Sequence, residues 1–76
     1  MPFITYTTVE GVLSDEQKEA LSTALTEAVI NTLGEKLKPN VWVTLNEAPE
    51  GNFYIGGHAL KAKMLKKLMD TADSDS

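Results

Sequence analysis

Pro2 stands directly behind Met1 and directly ahead of a strand-like run from Phe3 to Val9. Removal of an initiator methionine in front of a small residue leaves the proline ring nitrogen as a free secondary amine. Model α-amino groups titrate near about 7.7 to 8.0, and burial against apolar walls lowers that value by disfavouring the ammonium form. Such an amine trades protons at neutral pH, which is the task of a general base. With Met1 still attached, the same nitrogen is a tertiary amide with no lone pair to offer. Two readings stand side by side: a catalytic amine, or a proline that marks only processing or a strand edge without a donor.

The groups available to accompany such a base are few. All seven cations are lysines, at positions 18, 36, 38, 61, 63, 66 and 67, and arginine is absent. A substrate carboxylate would therefore meet a point charge instead of the planar bidentate fork of arginine. The net charge of −4 and the missing arginines also argue against nucleic acid as a partner. His58 is the sole histidine and cysteine is absent, so neither zinc nor disulfides are expected to staple the fold. His58 reads as a surface or interface residue, or as a group at a pocket mouth. The lysines from Lys61 to Lys67 read as a solvated helix face, and membrane binding is not expected.

These residues must be held by a small scaffold. Seventy-six residues, 42% of them apolar, make one domain (1–76) with little core of its own, for which oligomerisation is the common remedy. No apolar run approaches the roughly 18 residues that span a bilayer, and no charged-then-apolar leader precedes the first strand, so a cytoplasmic protein is expected. Phe3 to Val9 alternates as a strand. Ser14 with Gln17 three residues on forms a capping box, followed by acidic Asp15 and Glu16, and predicts a helix from Asp15. Leu21, Ala24, Leu25, Ala28, Val29, Thr32 and Leu33 supply its apolar face, and Gly34 an αL stop.

Val41, Val43 and Leu45 alternate with Trp42, Thr44 and Asn46 in a second strand. Strand, helix and strand make a βαβ unit with parallel strands, which sets Pro2 near Lys38, Pro39, Asn40, Val41 and Trp42. Ala48 to Asn52 reads as a turn and Phe53 to Gly57 as a short hairpin suited to pairing across a subunit boundary. Ala59 to about residue 70 has helical spacing, and residues 71–76 read as a disordered end. The fold class is α+β: a β-α-β protomer with a parallel strand pair, a C-terminal hairpin and a short helix and tail, oligomerising through its sheets and unpaired edges.

Pro2 opening a strand, Glu10-Gly11, Ser14-Asp15-Glu16-Gln17-Lys18, Val41-Trp42-Val43 and Gly51-Asn52-Phe53-Tyr54-Ile55-Gly56-Gly57 together resemble the short-chain tautomerase superfamily, most closely its 4-oxalocrotonate tautomerase group. The resemblance covers about residues 2–58. It implies a homo-oligomer, usually a hexamer built as a trimer of dimers, with active sites at subunit boundaries and no cofactor. It further implies an N-terminal proline that lifts a proton from the enol or dienol of a 2-keto acid and returns it at another carbon. Some relatives instead hydrate halogenated acrylates, with the proline acting as an acid.

One departure bears on the chemistry. The group's pattern carries an arginine after the Glu-Gly pair and another within the second strand. Here those places hold Val12 or Leu13, depending on the loop, and Trp42. Lys38 as a point charge and the Trp42 indole N–H are the candidates to compensate; a solvated loop lysine is the favoured reading of Lys38, and packing alone the other reading of Trp42. Phe53 matches a pocket aromatic of the group, and core or subunit packing is its other reading. Three readings result: a keto–enol tautomerase with Pro2 as base, a dehalogenase-like hydratase, or a non-catalytic subunit that needs an arginine-bearing partner in a hetero-oligomer.

Overall fold

A computed structural model describes residues 2–75. The elements run β1 (Phe3–Val9), α1 (Asp15–Leu33), a 3₁₀ turn (Glu35–Asn40), β2 (Trp42–Ala48), β3 (Tyr54–Ile55), β4 (His58–Ala59) and α2 (Ala62–Asp75). β1 pairs with β2 in one two-stranded sheet and β3 with β4 in another. The Trp42 amide donates to the Pro2 carbonyl and the Glu10 amide to the Ala48 carbonyl. Early residues of one strand thus bond early residues of the other, which is the parallel sense. The described residues gather into two compact groups. One runs from the start of the chain to Tyr6 and resumes over Leu13–Asn46, and the other joins Thr7–Val12 to the chain from Glu47 onward.

In the first group α1 begins where the capping box predicts. The Ser14 hydroxyl accepts from the Gln17 amide at 3.1 Å, and the Gln17 side chain accepts from the Ser14 amide at 2.9 Å. Two orphan donors of the helix N-terminus are satisfied reciprocally. The buried seam of α1 differs from the expected apolar face. Leu21, Leu25 and Val29 are half-buried and Ile30 is buried, whereas Ala24, Ala28, Thr32 and Leu33 are exposed. Ser22 and Thr26 share the seam because their hydroxyls donate back to the Lys18 and Ser22 carbonyls, at 2.8 and 2.9 Å, and so bring no unpaired polar group inward.

The end of α1 also differs from expectation. The Gly34 amide closes the helix on the Ile30 carbonyl at 2.9 Å, but Gly34 lies at φ 129° and ψ 138° instead of the αL region. Only a residue without Cβ takes that backbone cheaply. It throws the chain directly into the 3₁₀ turn. Along the strands Ile4, Val41, Val43 and Leu45 are half-buried, while Phe3, Thr5, Trp42, Thr44 and Asn46 are exposed. The period of two places the aliphatic row on one face of the sheet and leaves the other open.

In the second group the end of β1 supplies the core, with Val9 0% and Thr8 7% exposed, joined by Val12. Tyr54 pairs with Ala59 and Ile55 with His58 in an antiparallel hairpin closed within this chain. Its turn residues Gly56 and Gly57 both have positive φ, at 56° and 84°, the requirement of a type I′ turn. The Leu60 amide then bonds the Phe53 carbonyl at 2.8 Å. That ladder occupies the residues read as the start of the last helix, so α2 opens at Ala62 instead of Ala59. Its first amide is capped by a carboxylate twelve residues upstream, Glu50 Oε1 accepting from Ala62 N–H at 2.8 Å. The backbone of residues 71–75, read as part of a disordered end, continues α2 to Asp75. Helix propagation from a formed turn is far less costly than nucleation, which lets weak helix formers extend it. Ser76 lies outside the described residues.

Candidate active site

Pro2 sits at the head of the parallel ladder. Its carbonyl accepts the Trp42 amide at 3.0 Å, which ties the proline backbone to the first residue of β2. The proline itself is half-buried. One residue on, the Phe3 ring packs edge-to-face on the Trp42 indole, with centroids 5.4 Å apart and planes at 61°. Both rings are more than half open, Phe3 at 66% and Trp42 at 54%. The strand pairing thus brings together Pro2, Phe3 and Trp42, of which the sequence singles out the first and third. Phe3 could have been found from register: if Pro2 opens β1 beside Val41, the next pair is Phe3 with Trp42.

The 3₁₀ turn delivers the chain into β2 at this same end. Lys38 lies in its last part and is exposed, and its carbonyl accepts the Val41 amide at 3.4 Å. Pro39 inside the turn lacks a donor and stiffens the approach. Leu13, just ahead of the α1 cap, is half-buried in the same group.

Val12 and Phe53 belong to the second group. Val12 is 6% exposed, and its amide approaches the Val9 carbonyl at 3.4 Å. Its side chain belongs to the core of this chain and has almost no surface left for a substrate. Phe53 is half-buried, and its carbonyl is engaged by Leu60. His58 is exposed within the hairpin. Among the described residues, no group of three or more His, Cys, Asp or Glu side chains could hold a metal ion. No helix of the described residues is long and apolar enough to cross a membrane.

One electrostatic feature opposes an easily neutralised amine. α1 runs antiparallel to the strands in the crossover, so its C-terminus lies at the end of the first group where Pro2 begins β1. No basic residue occupies its last turn. The partial negative charge of those carbonyls favours a nearby cation by roughly 0.3 to 1 kcal/mol.

The fold has close counterparts among known proteins. The family model described as tautomerase enzyme matches residues 2–63. The chain belongs to the tautomerase family. A probable tautomerase of Streptococcus pyogenes serotype M3 is 40% identical over 57 residues, covering 75% of this chain and 90% of that protein. A probable tautomerase of Streptococcus agalactiae serotype III is 38% identical over 61 residues, covering 80% and 98%. Among solved structures, TomN, a 4-oxalocrotonate tautomerase homologue in the tomaymycin biosynthetic pathway, superposes with a TM-score of 0.69 at 31% identity, over 99% of this chain and 100% of that one. Apo unfused 4-oxalocrotonate tautomerase gives 0.69 at 33% identity, over 86% and 100%. This tautomerase-family chain is thus a 4-oxalocrotonate tautomerase-like member with the α+β fold expected of it. The family match ends two residues into α2, so most of that helix lies beyond the residues matched by the family model.

Proposed function

We propose that this chain is a cofactor-independent keto–enol tautomerase in which the Pro2 amine, freed by removal of Met1, is the general base. The observation that carries the reading is Pro2 itself, held at the head of the ladder by the Trp42 amide within the region matched by the family. The substrate is a small enol or the enol of a 2-keto acid. The amine takes the proton of the enol hydroxyl as the C–O bond gains double-bond character, and the proton returns at carbon as the C=C π pair becomes a C–H bond. Charge, atoms and electrons balance without a metal or redox partner. Lys38 serves the carboxylate as a point charge and the Trp42 indole as a donor or apolar wall. Leu13, half-buried in the same group as Pro2, helps exclude water.

A half-open Pro2 is not yet a desolvated base. The remaining burial comes from assembly of this chain into a homo-oligomer, with a trimer of dimers as the form that family resemblance favours. Within that environment the amine titrates below an exposed α-amine, because lost hydration penalises its charged form by more than the α1 terminus favours it. The test is turnover of a 2-hydroxy-dienoate by wild type and Pro2→Ala, with subunit count measured on both. Loss of turnover with the oligomer intact supports the reading, and unchanged turnover rejects it. The absence of arginine supports one rival, a subunit that works only beside an arginine-bearing partner chain. Native mass spectrometry of mixtures with candidate paralogues separates the two.

A further inference from the structure

We infer that Phe3 and Trp42 form an aryl-binding ledge beside Pro2, and that the favoured substrate is an aryl-substituted enol acid with a single carboxylate. This rests on the proton-transfer reading above and adds to it the class of molecule that the site accepts. The open face of the β1–β2 sheet is not uniformly apolar. Its only large apolar side chains at the amine end are Phe3 and Trp42, and further along the same exposed rows stand Thr5, Thr7, Thr44 and Asn46. A face shaped only to pack on another sheet would continue its apolar pattern along the strands. Here the apolar surface is confined to the strand start, one residue from the base.

The rings are also arranged for a flat guest. An edge-to-face pair at 5.4 Å leaves the outer part of each ring free, and a further aromatic ring gains both area and quadrupole complementarity against such a pair. Anion recognition at this end is sparse. The chain has no arginine, and the cations leading into Trp42 are Lys36 and Lys38 of the 3₁₀ turn. A second carboxylate would lie against indole and phenyl surface without a donor fork, and desolvating it there is unfavourable. Aromatic surface where a charged clamp would suit a dicarboxylate therefore selects a ring at one end of the substrate and one carboxylate at the other.

Trp42 is the sole tryptophan, so the full-length protein carries its own reporter. Titration with 3-phenylpropionate, butyrate and glutarate, read by Trp42 emission and by competition, compares an aryl, an aliphatic and a dicarboxylate probe. The ledge predicts half-saturation by 3-phenylpropionate at about tenfold lower concentration than by either of the others, the scale of a buried aromatic contact. Phe3→Ala, at an exposed position that leaves the fold intact, should weaken that probe about fivefold and leave butyrate unchanged. Equal half-saturation for the three probes, or an aryl preference indifferent to Phe3→Ala, overturns the inference. Repeating the titration in Pro2→Ala keeps binding apart from chemistry. Aryl preference retained there, with wild type inert towards phenylenolpyruvate, upholds the ledge and rejects the proton-transfer reading.

Discussion

The two ends of β1 are built differently. At its start Phe3 projects into solvent and Pro2 is half-buried, whereas at its finish Thr8 and Val9 are closed off almost completely. A chain of 76 residues can bury only so much, and this one concentrates its core where the strand turns into the Glu10-Gly11 corner. The end where we propose the chemistry is the more open one. The difference teaches that the anchoring end of the strand and the end proposed to react can each be perturbed with a distinct readout.

The largest separation should come from Pro2→Ala. A positioned general base is worth about 10² to 10⁴ in rate, so kcat should fall by that factor. Its melting temperature should stay within a few degrees, because the Trp42 amide bonds the residue's carbonyl, which alanine retains. A large loss of stability would break the comparison by showing that the open end also anchors the fold. Retaining Met1 should mimic the kinetic loss by acylating the amine, and intact mass of the purified protein identifies that state.

Next in size is Trp42→Arg, which tests what the open end recognises. Supplying a preorganised cationic donor beside the base should raise kcat/KM for a dicarboxylate enol, by up to about 10² where the arginine reaches the developing charge. The same change should lower kcat/KM for an aryl monocarboxylate. Steady-state kinetics on both substrates checks the crossing of selectivities, and parallel changes in both would argue against a ledge at this position.

At the closed end, Val9→Ala should cost about 2 kcal/mol, the transfer and cavity terms for two methyl carbons in a site with no exposure. Phe3→Ala, two-thirds exposed at the other end, should change protomer stability by less than about 0.5 kcal/mol. Urea unfolding of both variants gives the contrast directly. Equal costs would mean that Phe3 is buried in the working oligomer and that the openness of the first strand residues is lost on assembly.

Much of this architecture was legible in the chain, and the exceptions have physical causes. β1 and α1 fall where alternation and the capping box place them, because local signals decide strand and helix starts when nothing distant competes. Pro2 and Trp42 come together because a βαβ crossover leaves little freedom in which strand ends meet. The seam of α1 departs from the apolar pattern because hydroxyls that bond their own helix are as easily seated as alanines, a fact that hydropathy does not encode. Phe3 is not conspicuous in the sequence because its importance depends on register with a residue 39 positions away. The start of α2 falls later than helical spacing suggests because Ala59 and Leu60 are claimed by hairpin contacts to Tyr54 and Phe53.

The smallest effect concerns that last helix. Glu50 caps Ala62 across twelve residues, so α2 owes its first turn to a carboxylate on the turn that follows β2. Caps of this kind are worth about 1 kcal/mol, through one satisfied amide and a favourable charge at the helix N-terminus. Glu50→Ala should therefore speed hydrogen exchange at the Ala62 amide by about fivefold, while exchange in the middle of α1 and turnover at the Pro2 end stay as they are. Glu50→Gln should fall between, since its amide oxygen still accepts the bond but the charge is gone. If Glu50→Ala instead lowered kcat, the strand end that carries the amine would be coupled to a helix lying mostly beyond the family match, and the independence of the two ends of β1 would have to be abandoned.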